Sequence, residues 1–175
     1  MNKKEMRYEV IELAILLENY LDEEITTFFG LSSWDASYHT QINIERDIFV
    51  KYFLRYMSLS KKFEIIKKLI ESMGEKLYEE FSADEKKFIE IRNKYAHTLY
   101  PEVEENFMPK MEIDRVKLQQ KDWGKMYKEA KTLYLKILKE MDSKFYTREP
   151  RRRKHIRFDQ RHLLNVIESY EKELR

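Results

Sequence analysis

Arg92-Asn93-Lys94-Tyr95-Ala96-His97 is the stretch of this chain whose residue types can do chemistry. An arginine is permanently charged and presents a planar fork that fits a phosphate. An imidazole titrates near neutrality, as a general acid or base must. On a continuous helix the spacing from Arg92 to His97 is about 7.5 Å of rise and roughly 140° of rotation, so the two side chains do not share a face. Asn93 stands one turn before His97 on the same side, where it can hydrogen-bond the ring and fix its tautomer. Two copies of the helix end facing each other across a twofold axis would bring both groups into one cleft, and isologous dimers are the commonest oligomers. Ala96, one turn after Arg92, is small enough to let a second backbone approach. The same residues have a purely structural reading. The arginine can cover the edge of an apolar face and pair with a glutamate, while a histidine in a last helical turn favours the helix dipole.

The elements that must position these groups all read as helices. Helix one is predicted from about Lys4 to Thr27 by Met6, Val10, Leu13, Leu17 and Tyr20 at helical spacing, with Leu16 and Leu21 widening the stripe and Gly30 as the stop. A loop follows, which Trp34 and Tyr38 would pin to the core, and His39 reads as a surface histidine. Asn43 is the expected cap of helix two, which runs to about Met57 with Ile48, Phe49, Tyr52, Phe53, Tyr56 and Met57 on one face. Helix three carries Phe63, Ile66, Leu69, Ile70 and Met73 and ends at Gly74. Ser82-Ala83-Asp84-Glu85 has the pattern of a capping box for helix four, along which Phe88, Ile91, Tyr95 and Ala96 recur. Pro101 cannot continue that helix, so His97 falls in its last turn. A long polar connection leads to helix five, from about Trp123 to Phe145, with Met126, Ala130, Leu133, Tyr134, Ile137, Met141 and Phe145 as its stripe.

The arginine, the polar residue after it and the histidine five positions on resemble the R-x4-H signature of the HEPN superfamily, small all-helical domains many of which are metal-independent ribonucleases. The helical period of every apolar stretch and the scarcity of glycine predict an all-α, antiparallel helical bundle, HEPN-like over residues 1–146, and the angular separation of Arg92 and His97 predicts a homodimer with helix four near the twofold. The resemblance implies a reaction in which a 2′-hydroxyl is deprotonated and attacks the adjacent phosphorus, leaving a 2′,3′-cyclic phosphate. Arg92, Asn93 and His97 would be the catalytic residues and RNA the substrate. Such a protein would serve as a toxin or a phage-defence effector, in the first case with a cognate antitoxin or inhibitor protein. One toxin branch carries a tyrosine two residues after the histidine. Here that position is Leu99 and Tyr100 comes one later, so the resemblance does not imply tyrosine-dependent regulation. The rival readings are a non-catalytic helical interaction module and an RNA binder without catalysis.

Residues 147–175 change character. Arg148, Arg151, Arg152, Arg153, Lys154 and Arg157 crowd around Pro150, on a chain whose formal net charge is only +2. Arg151, Arg152, Arg153 and Lys154 are therefore the expected RNA-binding residues, tracking phosphates electrostatically, with an extended solvated linker as the alternative. An additional C-terminal amphipathic helix follows, bearing Leu163, Leu164, Ile167, Tyr170 and Leu174.

Composition limits the rest. With 3 glycines and 3 prolines in 175 residues, breakers are few and long helices are favoured. There is no cysteine, which removes disulfides, thiolate metal sites and cysteine nucleophiles and fits a cytoplasmic protein. No apolar run resembles a signal peptide or a membrane span, so no membrane partner is expected. His155 and His162 lack an accompanying carboxylate cluster, and neither a metal nor any other cofactor is expected. No glycine-rich phosphate loop or serine-nucleophile setting is present.

Overall fold

A computed structural model of the chain describes residues 3–31, 40–97 and 123–146. These form an all-α bundle with no strand among the described residues: α1 (Lys3–Phe28), α2 (Thr40–Tyr52), a 3-10 turn (Leu54–Tyr56), α3 (Leu59–Ser72), α4 (Phe81–His97) and α5 (Trp123–Tyr146). The expectations for the loop containing Trp34, Tyr38 and His39, for Pro101 and the long connection, and for everything after residue 146 lie outside the described residues.

The apolar stripes become the core. Val10, Leu13, Leu17 and Leu21 of α1 are fully buried with Phe63, Ile66 and Ile70 of α3, Phe88, Ile91 and Tyr95 of α4, and Ala130, Ile137 and Met141 of α5. Burying each large aliphatic or aromatic side chain is worth about 1.5–3 kcal/mol. The central helix is α1, which packs on α2, α3, α4 and α5. Helices α4 and α5 run antiparallel, as the ladder of contacts between them shows. Tyr95 packs against Trp123, Phe88 against Tyr134, and Asp84 meets Lys136.

Two helices end in the same way, at Gly30 and Gly74, with φ of 74° and 76°. The left-handed turn lets the Leu31 amide reach the Thr26 carbonyl at 2.8 Å and the Glu75 amide reach the Ile70 carbonyl at 3.1 Å. These 6→1 bonds satisfy carbonyls that a helix end would otherwise leave bare, and a side chain at either glycine would be strained.

Three local expectations are corrected. Helix two starts at Thr40, so Asn43 lies inside it and does not cap it. Helix four starts at Phe81, and Ser82 lies inside its first turn. The Glu80 carbonyl accepts from the Ala83 and Asp84 amides at 2.9 Å each, so the backbone opens this helix without a serine cap. The two acids of the apparent capping box are drawn away by ion pairs. Asp84 accepts from Lys136 at 2.6 Å and Tyr78 at 2.7 Å, and the buried Glu85 meets Lys67 at 2.7 Å. Finally, the apolar face of helix two is not all core: Ile48, Tyr52, Phe53 and Tyr56 are exposed.

The start of α3 is capped by Ser58, whose Oγ accepts from the Lys61 amide at 3.3 Å. Lys62, one turn in, is 1% exposed and ties α3 to α1 through Glu18 at 2.8 Å and Asp22 at 2.7 Å. Burial pushes the Asp22 carboxyl above its ordinary range, although Lys62 pulls it the other way. The pair is a registration device: a buried lysine is tolerated only where both carboxylates meet it.

Candidate functional site

The last turn of α4 carries the candidate groups, and three contacts fix it. Tyr95 is fully buried, and its hydroxyl donates to the Trp123 carbonyl at 2.6 Å, at the first residue of α5. The two rings lie 4.8 Å apart, at 56°. Burial, with a smaller contribution from Tyr127, pushes the Tyr95 hydroxyl up to about 12, so it stays a neutral donor. From the other side Arg7, near the start of α1, donates from Nη2 to the Ala96 carbonyl at 3.3 Å. A guanidinium on a last-turn carbonyl satisfies an acceptor that the helix cannot, and it complements the negative end of the helix dipole.

Arg92 is half-buried and His97 exposed. Nη1 of Arg92 donates to Oδ1 of Asn93 at 3.0 Å. Its Nε is buried and has no hydrogen-bond partner among the described residues. A guanidinium has five N–H donors, so one bond to Asn93 leaves the fork able to take an oxyanion. The side chain sits between two environments, held at one nitrogen and unsatisfied at another. Leaving a buried donor unmade costs about 1–3 kcal/mol.

Asn93 plays a different part from the expected one. No hydrogen bond joins its side chain to the imidazole, and its carbonyl oxygen is taken up by Arg92. Adjacent helical residues do not share a face, but the long arginine bends back to its neighbour. Arg92 and His97 remain on different sides of α4, as the five-residue spacing requires. The helix thus presents an exposed imidazole at its tip and a partly sequestered guanidinium just over one turn earlier.

Lys94 and His97 both fall in the last turn, and Arg7 lies against it. Glu90 faces Lys94 at 2.7 Å and Lys87 at 4.0 Å. These lysines, the Lys94 hydrogen bond foremost, hold its carboxyl below the usual range. Among the described residues there is no group of three or more His, Asp or Glu side chains that could hold a metal ion. His97 is the only histidine among the described residues. The predicted RNA-binding residues Arg151, Arg152, Arg153 and Lys154 lie outside the described residues, so the structure does not bring them to the helix tip or away from it.

Two contributors were missed in the sequence. Arg7 is 89 positions from Ala96 and carries no local signal for that contact. Glu9, Tyr127 and Lys131 form a second tie between α1 and α5, in which Tyr127 donates to Glu9 and the 3% exposed Lys131 donates to Tyr127 at 3.0 Å. A lysine on the apolar side of helix five was the one visible hint. Among the described residues no helix is long and apolar enough to cross a membrane. Compared with known proteins, the chain matches no family model, no curated protein and no solved structure.

Proposed function

We propose that this chain is a HEPN-like, metal-independent endoribonuclease, with Arg92 and His97 as its chemical groups and Asn93 as the residue that positions Arg92. The observation that carries the reading is the pairing of a half-buried arginine, held at one nitrogen by Asn93, with an exposed histidine on the same helix end. In this reading His97 accepts the 2′-hydroxyl proton. The 2′-oxygen forms a bond to the adjacent phosphorus as the bond to the 5′-oxygen breaks, and a proton from an imidazolium or water reaches the leaving oxygen. Arg92 stabilises the charge that builds on the phosphoryl oxygens. Two copies with their α4 tips together would supply the arginine and histidine that one copy holds on different sides. The basic segment, Arg151 to Lys154, would hold the polyanion.

The test is the product of a reaction run in chelator. Cleavage of a single-stranded RNA to fragments ending in 2′,3′-cyclic phosphate and 5′-hydroxyl, unaffected by EDTA, is expected. Fragments with 5′-phosphate ends, or activity that returns only with a divalent ion, would contradict it. The second reading, a helical interaction module, is favoured by the exposed apolar residues of α2.

A further inference from the structure

Helix α2 has two apolar faces, and only one has a partner within the bundle. On its inner side Arg46 meets Glu23 of α1 at 3.0 Å, and Phe49 packs against Phe29 with ring centroids 5.6 Å apart. On its outer side Ile44, Ile48 and Tyr52 follow one another at one-turn intervals and are 57%, 49% and 59% exposed. Three large apolar side chains in one line are more than the scattered surface residues that need no explanation. The edge of this stripe carries Asp47 and Lys51, also one turn apart. They are not paired with each other or with any described residue, although Lys51 Nζ lies 5.3 Å from the centre of the Tyr52 ring.

We propose that this stripe is the contact face of a twofold pair, with α2 of one copy lying antiparallel on α2 of another. The order of the residues on the helix selects a second copy as the occupant. In an isologous antiparallel pair, a residue at some distance before the centre meets the one at the same distance after it. A centre near residue 49 places Asp47 of one copy level with Lys51 of the other, and the reverse, along the same edge. It also sets Ile48 of each copy two residues in level, about 3 Å at 1.5 Å per residue, from the other's Ile48 on one side and Tyr52 on the other. The charges are therefore self-complementary in the register that covers the apolar stripe. No such match arises if the helices run parallel, because the edge bearing Asp47 and Lys51 then lies on opposite sides of the seam in the two copies.

This face is remote from the tip of α4. Arg7 at the start of α1 touches Ala96, whereas α2 packs by Phe29, just beyond the other end of α1. Along α1 those points are roughly 30 Å apart at 1.5 Å per residue. The pairing is independent of any ribonuclease activity.

Sedimentation of the full chain across the micromolar range tests it. The wild type is expected to self-associate, and Ile48→Glu to halve the mass of the assembly with its helical circular dichroism unchanged. Asp47→Lys alone and Lys51→Asp alone should each raise the dissociation constant at least tenfold. Mixing those two single variants should restore association as a mixed pair, a result no contact within one chain can produce. A monomeric wild type would overturn the proposal and leave the stripe to a segment of its own chain or to another protein. So would an assembly indifferent to the charge reversals, or one in which the two single variants fail to pair.

Discussion

The guanidinium of Arg7 donates to the carbonyl oxygen of Ala96, so the start of the first helix holds the residue just before His97. A bond across 89 positions makes the tip of α4 part of the tertiary fold, where a helix end alone would fray. Replacing Arg7 by Ala removes this anchor. It is expected to lower single-turnover RNA cleavage several-fold while changing stability by about 1 kcal/mol, the ordinary net worth of one such bond. Cleavage at the wild-type rate in Arg7→Ala would mean that the orientation of the tip does not matter.

Lys62→Met tests the buried ion triad. The methionine keeps the apolar stem but leaves Glu18 and Asp22 facing each other without the ammonium that bridges them. Removing one member of a buried pair costs about 3–5 kcal/mol. Urea denaturation at neutral pH should show a loss near the lower end of that range, because Glu18 and Asp22 retain some contact with water. A loss below about 1 kcal/mol would show that water already solvates this site.

Asp84 supplies a pH dependence. Burial alone would raise its carboxyl, but hydrogen bonds from Lys136 and Tyr78 outweigh that and hold it below its ordinary range. A depressed folded-state value means that the contribution is complete above the ordinary carboxylate range and is lost as pH falls through the depressed value. Asp84→Asn should therefore be less stable than wild type at pH 7, by about 1 kcal/mol since Lys136 is half in solvent. The difference should shrink as pH is lowered below the ordinary range. A difference that stays constant with pH would assign the effect to packing.

How far the sequence could be read follows from where the information is stored. The stripes of helices one, three and five are local, so Val10, Leu13, Leu17, Ile66, Ile137 and Met141 could be assigned to the core from spacing alone. The glycine stops at Gly30 and Gly74 were equally legible, because only a left-handed turn closes those helices. The capping box was misleading because Asp84 and Glu85 are acids recruited by distant lysines, Lys136 and Lys67, that no local pattern connects to them. Helix two was misread for a related reason. Its apolar residues serve two faces, and a sequence does not say which of two faces the bundle covers. At the site, the place of His97 in the last turn was legible. The preference of Asn93 for Arg92 over the imidazole was not, since it depends on how a long side chain folds back.

The basic segment should contribute binding and not turnover. Replacing Arg151, Arg152, Arg153 and Lys154 together by serine removes up to four phosphate contacts. The slope of log affinity against log salt should then flatten by up to about 3 units for a single strand. The single-turnover rate on saturating RNA should hold, because those charges act on ground state and transition state alike. An unchanged salt slope would make the segment a linker.

The central claim is that His97 does chemistry at the tip of α4, and a single-turnover cleavage assay of His97→Ala beside a binding titration of the same RNA tests it most directly. The imidazole is exposed, so its loss should leave the fold and RNA affinity close to wild type while the cleavage rate falls by about 10²–10⁴-fold, the usual contribution of a positioned acid or base. Cleavage by His97→Ala at the wild-type rate would contradict the ribonuclease account of this site.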